Sequence, residues 1–67
     1  MFINRFKTKT GSIYELDTIV KCYRKIGDDM WRPFTGFTPI QVGLRVYITN
    51  EFNKTYIHTS SVVEIVR

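Results

Sequence analysis

The sequence contains no alanine and only two leucines, Leu16 and Leu44, together with one cysteine, one histidine and two prolines in 67 residues. Alanine and leucine are the strongest helix formers, so a chain this poor in both has little from which to build a helix. A single cysteine excludes an internal disulfide framework, and one Cys with one His cannot supply a four-ligand zinc site. No apolar run approaches the ~20 residues of a membrane span. No hydrophobic segment near Met1 reads as a signal peptide, so a cytoplasmic, reducing compartment is expected. Catalytic groups are scarce as well. His58 is the only imidazole, no nucleophile is spaced to form a triad with it, and no glycine-rich phosphate loop opens a helix. The expectation is a protein that is not an enzyme and carries no metal or cofactor.

What is abundant points to strands. Eight Ile, six Val and eight Thr make 22 β-branched residues, and ten aromatics join them. β-Branched side chains are stiff at χ1 and pack well on a pleated surface. A chain of this length forms one domain, residues 1–67, and buries only roughly 60% of its unfolded surface.

Strands are expected at Phe2–Thr8, Ser12–Leu16, Thr18–Ile26, Val42–Thr49, Lys54–Thr59 and Val62–Val66. Lys9-Thr10-Gly11 links the first two in a register that sets Phe6 opposite Tyr14 and Arg5 opposite Glu15. Asp17 turns the chain. Asn50-Glu51-Phe52-Asn53 makes a second hairpin, with Tyr47 opposite Tyr56 and Arg45 opposite His58. Ser60-Ser61 reads as a break. Residues 30–41 form a long irregular loop, because two prolines and a glycine there forbid a regular helix or a central strand.

Five or six short strands, a long irregular connection, a tight hairpin and a brief last strand resemble the SH3-like small barrels, with an OB-like barrel as the rival. The stretches Thr10-Gly11-Ser12-Ile13-Tyr14-Glu15-Leu16 and His58-Thr59-Ser60-Ser61-Val62-Val63-Glu64-Ile65 look like those of many small bacteriophage-encoded proteins. The Ala-free composition, rich in Ile, Lys, Asn, Phe and Tyr, is similar to that of phages with AT-rich genomes. The resemblance implies an accessory protein that binds a host protein in the host cytoplasm and inhibits or redirects it.

Strand alternation divides the side chains into two sets. Val20, Cys22, Val42, Leu44, Val46, Ile48 and Ile57 are the expected core. Lys21, Tyr23, Lys25, Arg45, Tyr47, Tyr56 and His58 are expected on one outward face, where rings interleaved with cations suit a protein partner or single-stranded nucleic acid. Trp31, Arg32, Phe34 and Phe37 form a second candidate surface in the long loop, where they either anchor a partner or cap the barrel. A net charge of +4 favours nucleic acid, but six acids are scattered among the ten bases. Three functions follow: a protein-binding module, a nucleic-acid-binding barrel, or sequestration of a small anionic ligand at an oligomer interface. No membrane partner is expected. The Val62–Val66 edge, guarded by little besides Glu64 and Arg67, offers a route to a homodimer.

Overall fold

The abundance of β-branched and aromatic residues is realised as strands alone. The computed structural model describes residues 3–28 and 30–66, and among them there is no helix. Seven strands form in order: β1 (Ile3–Thr8), β2 (Ile13–Asp17), β3 (Cys22–Lys25), β4 (Arg32–Pro33), β5 (Gly36–Phe37), β6 (Arg45–Asn50) and β7 (Thr55–Val66). They make one antiparallel sheet in the order β4-β3-β2-β1-β7-β6-β5, curled into a half-barrel. The fold class is therefore all-β as expected, with seven strands in place of five or six.

The first hairpin has the expected register, with Phe6 opposite Tyr14 and Arg5 opposite Glu15. The Phe6 and Tyr14 rings stack at 5.5 Å. Asp17 ends β2 through its side chain: Oδ1 accepts hydrogen bonds from the N–H groups of Ile19 (2.9 Å) and Val20 (3.2 Å). That turn consumes residues 18–21 and brings Lys21 to a φ of 57°. The third strand consequently begins four residues later than expected, and its alternation is reversed. Tyr23 pairs with Leu16 and points into the core, while Arg24 pairs with Glu15 on the outer face. A one-residue change of phase moves every side chain of a strand to the other face. Of the expected core residues here, Val20 is 64% exposed and Cys22 is half-buried, and Ile26 at the end of the expected strand is 45% exposed.

Val42 and Leu44 also leave the expected core. They lie in a turn before β6, on either side of Gly43, whose φ of 94° is favourable for glycine alone. The core consists of Phe6, Leu16, Tyr23, Phe34, Val46, Ile48 and Val62, with Tyr14, Ile40 and Ile57 packed against it.

Two corrections concern β7. The turn joining it to β6 occupies residues 51–54, so Asn50 pairs with Thr55 and Tyr47 faces His58 instead of Tyr56. The Asn50 side chain sets this register, its Oδ1 accepting from the N–H groups of Phe52 (2.9 Å) and Asn53 (3.3 Å). The shift is two residues, so the faces of both strands are kept. Moreover, Ser60-Ser61 does not break the strand. β7 runs unbroken through 12 residues, pairing with β6 along its first part and with β1 along its last. Its partners step from His58 to Ser61 against Tyr47 and Arg45, and from Val62 to Glu64 against Thr8 and Lys7. At each step β7 carries one residue more than its neighbour, which is a β-bulge, and bulges bend a strand and increase its twist. Two of them let one strand serve both halves of the sheet.

The long loop is ordered by the two edges it joins. The Phe34 N–H donates to the Lys21 carbonyl (2.9 Å) and the Thr35 N–H to the Thr49 carbonyl (2.7 Å), so two adjacent residues bridge opposite ends of the sheet.

Candidate partner-binding surfaces

Alternation along β6 buries Val46, Ile48 and Asn50 and turns Arg45, Tyr47 and Thr49 outward. Opposite them on β7, Tyr56 pairs with Thr49 and His58 with Tyr47. The Tyr47 and His58 rings lie 5.8 Å apart at 44°. Tyr47 is 48% exposed and Tyr56 62%. Ser60 extends this face towards the first hairpin, its Oγ lying 3.2 Å from Thr10 Oγ1. Among the described residues, no carboxylate stands at the outward positions Arg45, Tyr47, Thr49, Tyr56, His58 and Ser60. Four of the seven expected face residues, Arg45, Tyr47, Tyr56 and His58, are thus brought together.

The other three are not. Tyr23 is buried among core side chains, and that burial pushes its phenol above the ordinary range, with the Arg32 charge opposing. Lys21 sits in the turn before β3 and Lys25 ends that strand, three places from β7 in the sheet order. Both lysines are exposed, but on a different part of the molecule.

The loop residues also divide. Phe34 is 6% exposed and meets Phe37 edge-on at 5.5 Å, so it belongs to the core and serves as the cap. Phe37 and Trp31 are each 39% exposed. Arg32 reaches Asp28 at 3.5 Å across a solvent-exposed pair, which contributes little to stability.

A further cluster occupies the outer face of β1, β2 and β3. Glu15 is 1% exposed although it stands on that face. Arg5 and Arg24 clamp its carboxylate from the neighbouring strands: Arg24 Nε donates to Oε1 (2.7 Å), while Arg5 Nε (2.8 Å) and a terminal guanidinium nitrogen of Arg5 donate to Oε2. Burial pushes the Glu15 carboxyl up, but the hydrogen bonds and charges of Arg24 and Arg5 more than reverse this, and its pKa falls below the usual carboxylate range. The Arg24 guanidinium also lies over the Trp31 ring, 4.7 Å from its centre. The sequence pattern held the signal for this row. Arg24 interrupts any apolar face drawn through Val20, Cys22 and Ile26, and it does so because the strand is turned the other way.

Among the described residues, no group of three or more His, Cys, Asp and Glu side chains is placed to hold a metal ion, and no helix is long and apolar enough to cross a membrane. No protein-family model matches the chain, and neither a curated protein nor a solved structure shows significant similarity to it.

Proposed function

We propose that the chain is a small non-enzymatic binding module on an SH3-like frame, acting on a protein partner as a phage accessory protein that inhibits or redirects a host factor in the host cytoplasm. One observation carries this reading. Among the described residues, fourteen large hydrophobic side chains are exposed against seven that are buried. Scattered exposed apolar residues are normal, but this many around so small a core supports a reading in which a partner covers part of them. Trp31, 39% exposed with the Arg24 guanidinium over its ring, is the best-placed anchor, since Trp and Arg dominate binding hot spots. The test is an affinity pull-down from host-cell lysate, with and without nuclease. One dominant protein should be retained in both samples and lost with Trp31→Ala while the far-UV circular dichroism is unchanged. Retention of that protein by folded Trp31→Ala would remove the loop from the interface.

A second reading rests on the face formed by Arg45, Tyr47, Tyr56 and His58. Exposed rings beside a cation, with no carboxylate among them, suit single-stranded nucleic acid: bases stack on rings for ~1–3 kcal/mol each while cations follow the phosphates. Fluorescence anisotropy with a labelled oligonucleotide tests it. Binding should weaken as salt rises and with Tyr47→Ala/Tyr56→Ala. Absence of binding at low salt rejects it.

A further inference from the structure

The partner exchange along β7 leaves part of that strand paired on one side only. The N–H and C=O of Val62 still bond to the Leu44 carbonyl (2.9 Å) and the Gly43 N–H (2.8 Å). Beyond Val62, Val63 is the extra residue of the bulge, residues 64–66 pair with β1, and among the described residues no backbone group meets the other edge of this stretch. An open edge is a row of free N–H and C=O groups ready to accept another strand. Natural edges are commonly guarded by lysine, proline or inward-pointing charge. This one carries a single charge, Glu64, already opposite Lys7. Val63 is 48% exposed and Ile65 39%, and the turn beside them presents Val42 at 63% and Leu44 at 48%.

We infer that two copies of the chain pair antiparallel along this edge, about a two-fold axis through Ile65. The registers within the sheet select that axis. On the core side, Tyr14, Phe6 and Ile65 form one row across β2, β1 and β7. On the outer side, one row holds Glu15, Arg5 and Val66, and another holds Ile13, Lys7 and Glu64. With the axis at Ile65, Ile65 faces Ile65 of the second copy, and the core-side row continues without a polar residue. Val66 then faces Glu64 of the second copy. The outer row becomes Glu15, Arg5, Val66, followed by Glu64 and Lys7 of the second copy, so its charges alternate in sign across the whole interface. An axis at Glu64 would set two carboxylates directly opposite each other, which is destabilising. An axis between Glu64 and Ile65 would pair the core side of one copy with the outer side of the other.

The turn at 42–44 already covers the edge at Val62, which limits the new pairing to the residues beyond it. Such a short interface gives weak, concentration-dependent association. This inference is independent of the protein-partner and nucleic-acid readings, and a dimer is compatible with either.

The experiment has two parts. Sedimentation equilibrium from micromolar to millimolar concentration should show a monomer–dimer exchange. Val66→Glu, which sets like charges opposite each other twice across the axis, should raise the dissociation constant on the order of tenfold, while Val66→Lys should not. In a Cys22→Ser background, Ile65→Cys should oxidise to a covalent dimer, because opposed residues of antiparallel strands stand ~4.5–5.5 Å apart, within disulfide reach. Glu64→Cys should not, since its opposite residue is Val66. A purely monomeric wild-type protein over this range overturns the inference. So does equal weakening by both Val66 variants, or cross-linking as efficient at position 64 as at 65.

Discussion

The Arg24 guanidinium lies 4.7 Å from the centre of the Trp31 ring while its Nε donates to the buried Glu15 carboxylate. One side chain therefore ties the long loop to the middle of the sheet. Glu15 accepts from both Arg5 and Arg24, so replacing it by glutamine takes from both guanidinium groups the carboxylate they share. Glu15→Gln should lower the unfolding free energy by about 2 kcal/mol, which urea denaturation will measure. The pH dependence has a definite sign. The Glu15 pKa is lower in the folded chain than in the unfolded one, so its contribution is complete above the ordinary carboxylate range. It is lost as pH falls through the lower folded value. Stability of the wild type should decline in that acid window, and Glu15→Gln should flatten the decline.

Trp31 is the one tryptophan in the chain, so its fluorescence reports on this contact directly. Arg24→Ala should alter the emission of the folded protein. Trp31→Phe should keep most of the stability, because a phenyl ring still offers a face to the cation. Trp31→Ala should cost about 1–2 kcal/mol from the lost cation–π contact and partial burial, without unfolding the chain. A Trp31→Ala protein that is unfolded by circular dichroism would make the ring part of the core.

Much of the architecture is legible from local chemistry. The β-branched composition specifies strands, Lys9-Thr10-Gly11 specifies the first hairpin, and the Phe6–Tyr14 and Arg5–Glu15 pairs specify its register. Alternation at Val46 and Ile48 gives the correct inner face of β6. What escapes is the phase of β3. Whether Tyr23 or Cys22 faces inward depends on how many residues the Asp17 turn consumes, and that count is fixed by the positive φ at Lys21, a residue with no intrinsic preference for it. The two bulges of β7 are equally silent, because their inward positions Ile57, Thr59 and Val62 follow no single period. The loop residue Phe34 could be read as a cap or an anchor, and its place between the sheet edges decides for the cap.

Lys21 and Lys54, at φ values of 57° and 59°, hold a backbone conformation that costs an L-residue about 1–2 kcal/mol. Glycine adopts it freely, and its extra entropy in the unfolded chain, ~0.5–1 kcal/mol, offsets only part of that gain. Lys21→Gly and Lys54→Gly should each stabilise the protein by about 0.5 kcal/mol, raising Tm by roughly 2–4 °C. Gly43→Ala is the converse case. Its φ is 94° and nothing lies within 4 Å of an added Cβ, so any loss is purely conformational. That substitution should destabilise by about 1 kcal/mol. Differential scanning calorimetry on the three variants separates these effects from any role in binding.

Tyr23 and Tyr47 test the strand faces against each other. Both are expected on the outward face from strand alternation, yet Tyr23 is 7% exposed within the core and Tyr47 is 48% exposed on the outer face of β6. Truncating a buried aromatic removes its apolar contacts and leaves a cavity, at about 3–5 kcal/mol. For a domain this small that is a large share of the whole folding free energy. Tyr23→Ala should therefore lose the cooperative unfolding transition at room temperature. Tyr47→Ala should stay within about 1 kcal/mol of wild type, since it gives up one cross-strand ring contact with His58 and little buried area. Equal losses at the two positions in urea titrations would place both rings in the core and remove the Arg45–Tyr47–Tyr56–His58 face as a binding surface.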